Sequence, residues 1–520
     1  MKTKTSVVLM IALIVALGGL LMGFDASVIS GVNKFIVKEF NLSNLELGWA
    51  VSSLTIVASL AMMVAGPFSD RFGRRTVLRF AAVLYAISAV SSALAPNFTF
   101  LVIARMIGGL GVGASLILAP MYIAEIAPQK IRGRLVSFNQ LNIVIGISLA
   151  FFTNYLIIQL GKLDTSWALN LKFDEYNWRW MLGLEAIPAV IYFFGLFFVP
   201  RSPRWLIMKG KSEEAVAVLC RFSDQDSAQD EIDRISESMQ HGEKEEKGKV
   251  KDLLKPALRF VLTIGIVVGV LQQITGINAV FFYAPMIFEQ SGIGEDAALL
   301  QAILIGLVNL LFTVLAILFI DKLGRKPLLA FGVTGMAISM FVLSYGFSQA
   351  TYSFSEESVS ALPEAIEQSA LLPLIGETYN SDLELKSAVV TALGIEAFNK
   401  YKSEFITASA EMNAMLILVA ILFFVASFAI SLGPVMWVLF SELFPNKIRG
   451  IAISFVGLIN SLVSATIQWA FPWELDTIGS ATTYFLYGAF AAAGLIFILR
   501  VIPETKGKSL EELEAQLVKV

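Results

Sequence analysis

The chain has 520 residues, of which 56% are apolar and 16% charged, and a mean hydropathy of +0.72. That balance is too apolar for a water-soluble fold and makes a bilayer the natural solvent. The net charge of −3 says nothing about partners, no basic stripe suggests nucleic acid, the single Cys220 excludes an internal disulfide framework, and the single His241 cannot build a metal site.

Twelve stretches are long and apolar enough to cross roughly 30 Å of hydrocarbon as helices of about 20 residues. They centre near Ala16, Ile56, Ala86, Gly111, Ile147, Ile191, Val268, Ile305, Gly335, Phe424, Leu458 and Ala491. The first follows Lys2 and Lys4 but precedes no small-residue cleavage site, so it reads as a retained span and not a signal peptide. Lys and Arg crowd the loops after span two (Arg71, Arg74, Arg75), span four (Lys130, Arg132, Arg134), span eight (Lys322, Arg325, Lys326) and span ten (Lys447, Arg449). The positive-inside rule makes these loops cytoplasmic, and with an even number of spans both termini lie there too.

The chain says the same thing twice. SDRFGRR at Ser69–Arg75 returns as IDKLGRK at Ile320–Lys326, and AEIAPQKIRG at Ala124–Gly133 returns as SELFPNKIRG at Ser441–Gly450. Duplicated multi-span units predict an all-α membrane protein of two pseudo-symmetric six-helix bundles that rock about a central site. The expected boundaries are an N-terminal bundle over 1–200, a cytoplasmic helical linker over 201–254, a C-terminal bundle over 255–503 and a cytoplasmic tail over 504–520. In the linker, Glu213 to Phe222 fits one short amphipathic helix and Ile232, Ile235 and Met239 another.

The repeats differ in length. Asp70 to Asp321 is 251 positions and Glu125 to Glu442 is 317, so the second unit has gained 66 residues, placed around 348–411 on the non-cytoplasmic side. This insertion carries ten acids against Lys386, Lys400 and Lys402. Val389, Val390, Leu393, Phe398, Tyr401 and Phe405 recur at helical spacing, which predicts at least one amphipathic helix. A tolerated surface insertion is the plainer reading, a lid or partner-binding element the sharper one.

The duplicated loops, PRSPRWL at Pro200–Leu206 and PETKGKSLEELE at Pro503–Glu514 resemble the sugar porters of the major facilitator superfamily over nearly the whole chain outside the insertion. LQQITGINAVFFYAP at Leu271–Pro285 and GPVMWVLFSELFPNKIRG at Gly433–Gly450 are most similar to the bacterial xylose–proton symporters. The resemblance implies transport and not enzymatic chemistry, in a bacterial inner membrane, by a monomer without a cofactor. Its ligands would be a monosaccharide and a proton.

Sugar hydroxyls both donate and accept, as do Asn and Gln amides, which carry no charge to desolvate. Gln272 and Gln273 precede Thr275, Gly276 and Asn278 in a span that Gly276 and Pro285 can interrupt, exposing backbone to a cavity. Gln140, Asn309, Trp437 and Asn460 offer comparable groups from other spans. By resemblance Gln140, Gln272, Gln273, Asn278, Asn309 and Trp437 fall on the family's sugar-contacting positions. Singly, each amide could equally be glue between helices. Ile147 replaces a Gln of the xylose symporters and Ser461 a usual indole, so D-xylose, D-glucose and a related sugar all stay open.

Asp25 in span one costs about 2.5–3.5 kcal/mol on insertion scales, and such residues mark ion paths. The family resemblance makes it a proton carrier, with Arg105 as its partner and Glu185 as a second proton group; a permanent structural ion pair is the alternative, and with it facilitated diffusion in place of symport. A transporter-like sugar sensor is the remaining reading. Asp70, Arg71, Arg74, Asp321 and Arg325 are expected to pair with Glu125, Arg132, Glu442 and Arg449 as a cytoplasmic latch. Arg201 stands where the family motif usually carries Glu. Gly109, Gly111 and Gly113 lie inside an apolar span and read as close helix packing, not as a dinucleotide loop.

Overall fold

The computed structural model describes residues 5–128, 131–221, 228–230, 232–236, 250–445, 448–508 and 510–517. Twelve of its helices are long and apolar enough to span a membrane: Ser6–Phe40, Asn44–Phe72, Arg74–Ala93, Phe98–Ile126, Arg132–Gly161 and Asn177–Phe198 in the first half, then Pro256–Glu289, Glu295–Ile320, Arg325–Ser348, Ala414–Leu443, Arg449–Thr477 and Ser480–Val501. They are numbered spans 1 to 12. Within the first half span 1 packs on span 5 and span 2 on span 4; in the second, span 9 packs on spans 10 and 12. The halves meet where span 2 packs on span 11, span 5 on span 8 and span 1 on span 7.

Small residues set the closest approaches. A Cβ on Gly109 would sit 2.5 Å from the Leu54 carbonyl oxygen, and one on Gly111 would sit 3.0 Å from that of Ala81. The glycine run of span 4 is therefore a packing surface against spans 2 and 3. Large apolar side chains such as Phe80, Phe198, Phe331 and Ile496 remain exposed along the spans, where lipid replaces a protein core.

Spans 6, 7 and 10 are broken, span 6 at Leu184–Glu185. Span 7 is helical over Arg259–Ile274, turns at Gly276 with φ +92°, and resumes over Ile277–Glu289 with a second departure at Tyr283, two residues before Pro285. Only Gly takes that φ without strain. Span 10 breaks at Ser431 between Ala414–Ile430 and Leu432–Leu443.

The insertion contains the helical segment expected of it, and strands besides. It holds helices at Asp382–Leu393 and Ile395–Ser409, parted by Gly394 at φ +86°, and three short antiparallel strands: β1 (Thr351–Ser353) between β2 (Thr378–Tyr379) and β3 (Ala410–Glu411). Tyr352, Phe354, Leu371, Leu385, Val389, Phe398 and Phe405 form its own core. It is anchored to the second half by Asp382, which accepts from Ser480 N at 3.0 Å and Ser480 Oγ at 2.7 Å, and by Lys386 on Asp476 at 2.6 Å.

Between the halves, Pro203–Met208 and Ser212–Leu219 are short helices, the second matching the expected one up to Leu219; Phe222 and Met239 lie outside the described residues.

Candidate functional site

The repeated motifs build one cluster twice. In the first half Arg74 Nε donates to Glu125 Oε1 at 3.1 Å and Arg74 Nη1 to the Ser69 carbonyl at 3.2 Å, while Ser202 Oγ donates to Glu125 Oε2 at 2.5 Å. In the second, Arg325 Nε meets Glu442 Oε1 at 3.1 Å, Arg325 Nη1 meets the Ile320 carbonyl at 3.3 Å, and Thr505 Oγ1 meets Glu442 Oε2 at 2.6 Å. Arg132 donates to the Ala127 carbonyl at 3.3 Å as Arg449 does to that of Phe444 at 3.0 Å, the same five positions back. Asp70 also pairs with Arg74 at 2.7 Å; Arg71 lies against the Phe72 ring, and the side chain of Asp321 lies outside the described residues.

Arg74–Glu125 and Arg325–Glu442 are two of the expected pairs across helix ends, and each forms within its own half. The reason is local: each Glu faces the Arg of its own repeat and a hydroxyl from the segment that follows its own bundle, which leaves its oxygens occupied. The symmetry breaks at one position. Glu504 accepts from the backbone N–H groups of Arg325 and Lys326, both at 3.1 Å, at the start of span 9. Arg201, at the matching place in the first half, cannot accept and pairs with Glu214 at 3.3 Å instead.

The break in span 7 opens beside a connected set of amides. Gln273 Nε2 donates to Gln272 Oε1 at 3.0 Å and Asn460 Oδ1 at 3.2 Å; Asn460 Nδ2 donates to Gln272 Oε1 at 2.9 Å and to the Gly269 carbonyl at 2.8 Å. Asn278 Nδ2 reaches Gln273 Oε1 at 2.7 Å, and Gln272 Nε2 reaches the Leu432 carbonyl at 2.9 Å, just past the break in span 10. Four of the predicted site residues thus form one network. Asn309 is buried and Gln140 exposed, and among the described residues neither bonds to it. Trp437 is 40% exposed, with its ring 3.7 Å from where a Cβ on Gly457 would stand, one turn from Asn460.

Two residues that lie beyond this network, Ser464 bonded to Asn278 and Gln468 bonded to Ser464, were not singled out from sequence. Ser464 and Gln468 follow Asn460 at four-residue steps and so share its helix face, which is the signal that could have found them.

In the first half, Asp25 Oδ1 accepts from Arg105 Nη1 at 3.5 Å, and Arg105 Nε donates to the Ala50 carbonyl at 3.1 Å. Asp25 is 2% exposed and its Oδ2 has no hydrogen-bond partner among the described residues, nor does Oε1 of the equally buried Glu185. Glu185 sits at the break of span 6, just before Pro188. A Cβ on Gly108 would come 2.7 Å from Asp25 Oδ2, so the glycine leaves the carboxylate its room.

Bonds between the halves gather at the end that carries the insertion. Lys34 of span 1 meets Glu295 at 3.1 Å and Glu289 at 3.4 Å, Asn33 donates to the Phe282 carbonyl at 2.9 Å, Trp469 to that of Leu45 at 3.2 Å, and Lys162 pairs with Asp296.

The sequence matches the model of the family described as sugar (and other) transporter over residues 11–362 and 387–517. The chain belongs to this sugar transporter family. It is 38% identical over 547 residues to the D-xylose-proton symporter of Escherichia coli strain K12, covering 98% of this chain and 96% of that one. It is 35% identical to the arabinose-proton symporter of Bacillus subtilis strain 168, covering 98% and 95%. The inward-open structure of the xylose transporter XylE from E. coli superposes with a TM-score of 0.74 at 34% identity, over 98% of this chain and all of that one. The transporter therefore has the two-bundle fold expected from its repeats.

Proposed function

We propose that the chain is a proton-coupled monosaccharide symporter of a bacterial inner membrane, working as a monomer by alternating access on D-xylose, D-glucose or a related sugar. The observation that carries coupling is the Asp25–Arg105 pair, buried in the half opposite the amide network. A buried carboxylate beside a guanidinium stays charged while paired and takes up a proton when the two separate. Glu185, buried with a free oxygen, is the second proton group.

The sugar site is the network around Gln272, Gln273, Asn278 and Asn460, with Trp437 offering a face to the C–H side of the ring and Gln140 and Asn309 completing it from spans 5 and 8. Without sugar the amides bond to one another; sugar hydroxyls exchange for those bonds one for one, so binding leaves no buried amide unmet. The motif-bearing end is cytoplasmic by its Lys and Arg, as are both termini. With the opposite end bonded shut between the halves, the transporter faces inward. Arg74, Glu125, Arg325 and Glu442, with Asp70, Arg71, Arg132, Asp321 and Arg449, form the cytoplasmic gate, whose pairs within each half can be exchanged for pairs across it when the outside opens.

The test is uptake of labelled D-xylose and D-glucose into proteoliposomes with and without an imposed proton gradient. One proton crossing about 100 mV gains roughly 2.3 kcal/mol and one pH unit about 1.4, enough to concentrate sugar several hundredfold. Accumulation abolished by a protonophore is the expected result. Uptake that stops at equality overturns symport in favour of facilitated diffusion, and binding without flux leaves a sensor.

A further inference from the structure

The amide network reaches beyond the groups placed around the sugar. Asn278 Nδ2 donates to Ser464 Oγ at 2.5 Å, Gln468 Nε2 donates to the same oxygen at 2.8 Å, and Gln468 Oε1 accepts the hydroxyl of Thr55 at 2.9 Å. Thr55 belongs to span 2, in the other half. The backbone carbonyl of Gln468 also accepts the Tyr283 hydroxyl at 2.8 Å, and Tyr283 is where span 7 leaves helical geometry. One residue of span 11 is thus linked through Ser464 to the sugar-site amides and bonded directly to the broken part of span 7 and to the opposite bundle.

The chemistry of a carboxamide ties those bonds together. Its donor and acceptor lie on one rigid plane, so the group cannot turn to satisfy a new partner at one end without withdrawing the other. Gln468 is 1% exposed, and an amide end left unmet at that depth is strongly unfavourable. If its NH2 loses Ser464 and turns to a new acceptor, its oxygen is withdrawn from Thr55 in the same movement. The seam it serves is tight, since Gly48 of span 2 lies directly against the Trp469 carbonyl, with no room for a Cβ.

We propose that Gln468 is a positioning residue that transmits occupancy of the amide site to the seam between spans 2 and 11. The inference rests on reading that network as the sugar site. When sugar hydroxyls take Asn278 and Ser464, Gln468 loses its acceptor, its carboxamide turns, and the bond to Thr55 goes with it. Filling the site thereby loosens the outer seam, so the loaded transporter reorients toward the outside more readily than the empty one, which still returns more slowly to complete net uptake. Neither residue touches the sugar in this scheme.

The experiment measures hydrogen exchange of the intact transporter in lipid nanodiscs over residues 44–56 and 464–477, with and without D-xylose or D-glucose, beside equilibrium binding of the same sugars. In the wild type, bound sugar raises exchange at both segments. Thr55→Val, which removes one hydroxyl and keeps the shape, brings exchange without sugar to the sugar-bound level, abolishes the response and leaves the dissociation constant within about threefold. Gln468→Met does the same, and the double variant goes no further than either single one. A sugar response that survives Thr55→Val, or effects that add in the double variant, overturns the role of Gln468. Failure of the wild type to bind either sugar overturns this inference together with the sugar site beneath it.

Discussion

Lys38, at the end of span 1 nearest the insertion, forms an ion pair with Glu404 of the insertion, so a segment added to one half grips the other. The insertion is fixed to its own half through Asp382 and Lys386, and beside Glu404 its Ser403 donates to Glu289, the acid that also receives Lys34. Charge is segregated at this seam: Lys34, Lys38 and Lys162 stand on the first half, Glu289, Glu295, Asp296 and Glu404 on the second. The contacts favour the sharper reading of the insertion, a lid, over a tolerated surface loop. Partly exposed pairs contribute about 0–1 kcal/mol each and weaken with salt. Glu404→Gln should therefore shift the equilibrium toward the outward-open form by roughly two- to fivefold, read as increased labelling of external cysteines introduced at the seam, with high salt producing the same shift in the wild type. No change in labelling would return the insertion to a passive role.

Asp25→Asn separates coupling from transport. The variant keeps the shape of the side chain and its bond to Arg105 but cannot carry charge, so exchange of labelled for unlabelled sugar continues while accumulation falls from several hundredfold to equality. Removing the other partner has a different signature. Arg105→Ala strips Asp25 and the Ala50 carbonyl of their donor at a site only 1% exposed, and breaking a buried pair in this way costs about 3–5 kcal/mol, so thermal unfolding falls steeply. Gradient-driven accumulation by Asp25→Asn would make the pair structural.

Gln273→Ala tests the amide site at its most connected member, which donates to Gln272 and Asn460 and accepts from Asn278. Its loss leaves buried amides unmet with and without sugar, at about 1–3 kcal/mol for each group the sugar can no longer satisfy. Sugar binding should weaken roughly tenfold to a hundredfold, with the proton gradient still able to drive what uptake remains. Unchanged affinity would make Gln273 helix glue.

How much of this was legible in the sequence depends on how local each cause is. The spans could be read because a bilayer enforces their length and composition, and the break at Gly276 because only that residue type admits its φ. Arg105 could be paired with Asp25 because the family motif names both. Thr55 and Gln468 could not be, because a polar residue in a span carries no mark of which neighbour it will meet 413 positions away. Nor could the strands of the insertion, whose two or three residues are too short for an alternating pattern and exist only because β1 and β3 flank the points where the chain leaves span 9 and re-enters span 10. The charged loop motifs could be read as repeated and their Arg–Glu pairs anticipated, but spacing alone does not say which copy an acid will choose, and in the structure each takes the Arg of its own half.

Arg201 gives the repeat a natural control. In the second half Glu504 satisfies two of the open N–H groups at the start of span 9, as an acid at a helix N-terminus should. Span 3 begins at Arg74 with no side-chain cap, and its Arg75 has a buried Nε without a partner among the described residues, because Arg201 brings a second positive charge where the other half has a carboxylate. Arg201→Glu restores the missing half of the symmetry: the new carboxylate can accept from the backbone of Arg74 and Arg75 and pair with the Arg75 guanidinium, while Glu214 loses only a half-exposed partner of small worth. Capping gains of about 0.5–2 kcal/mol predict a higher unfolding temperature, measured by a thermal shift in detergent. A variant no more stable than the wild type would mean that the first half has compensated for Arg201 elsewhere, and the pairing of Arg201 with Glu214 would then be the place to look.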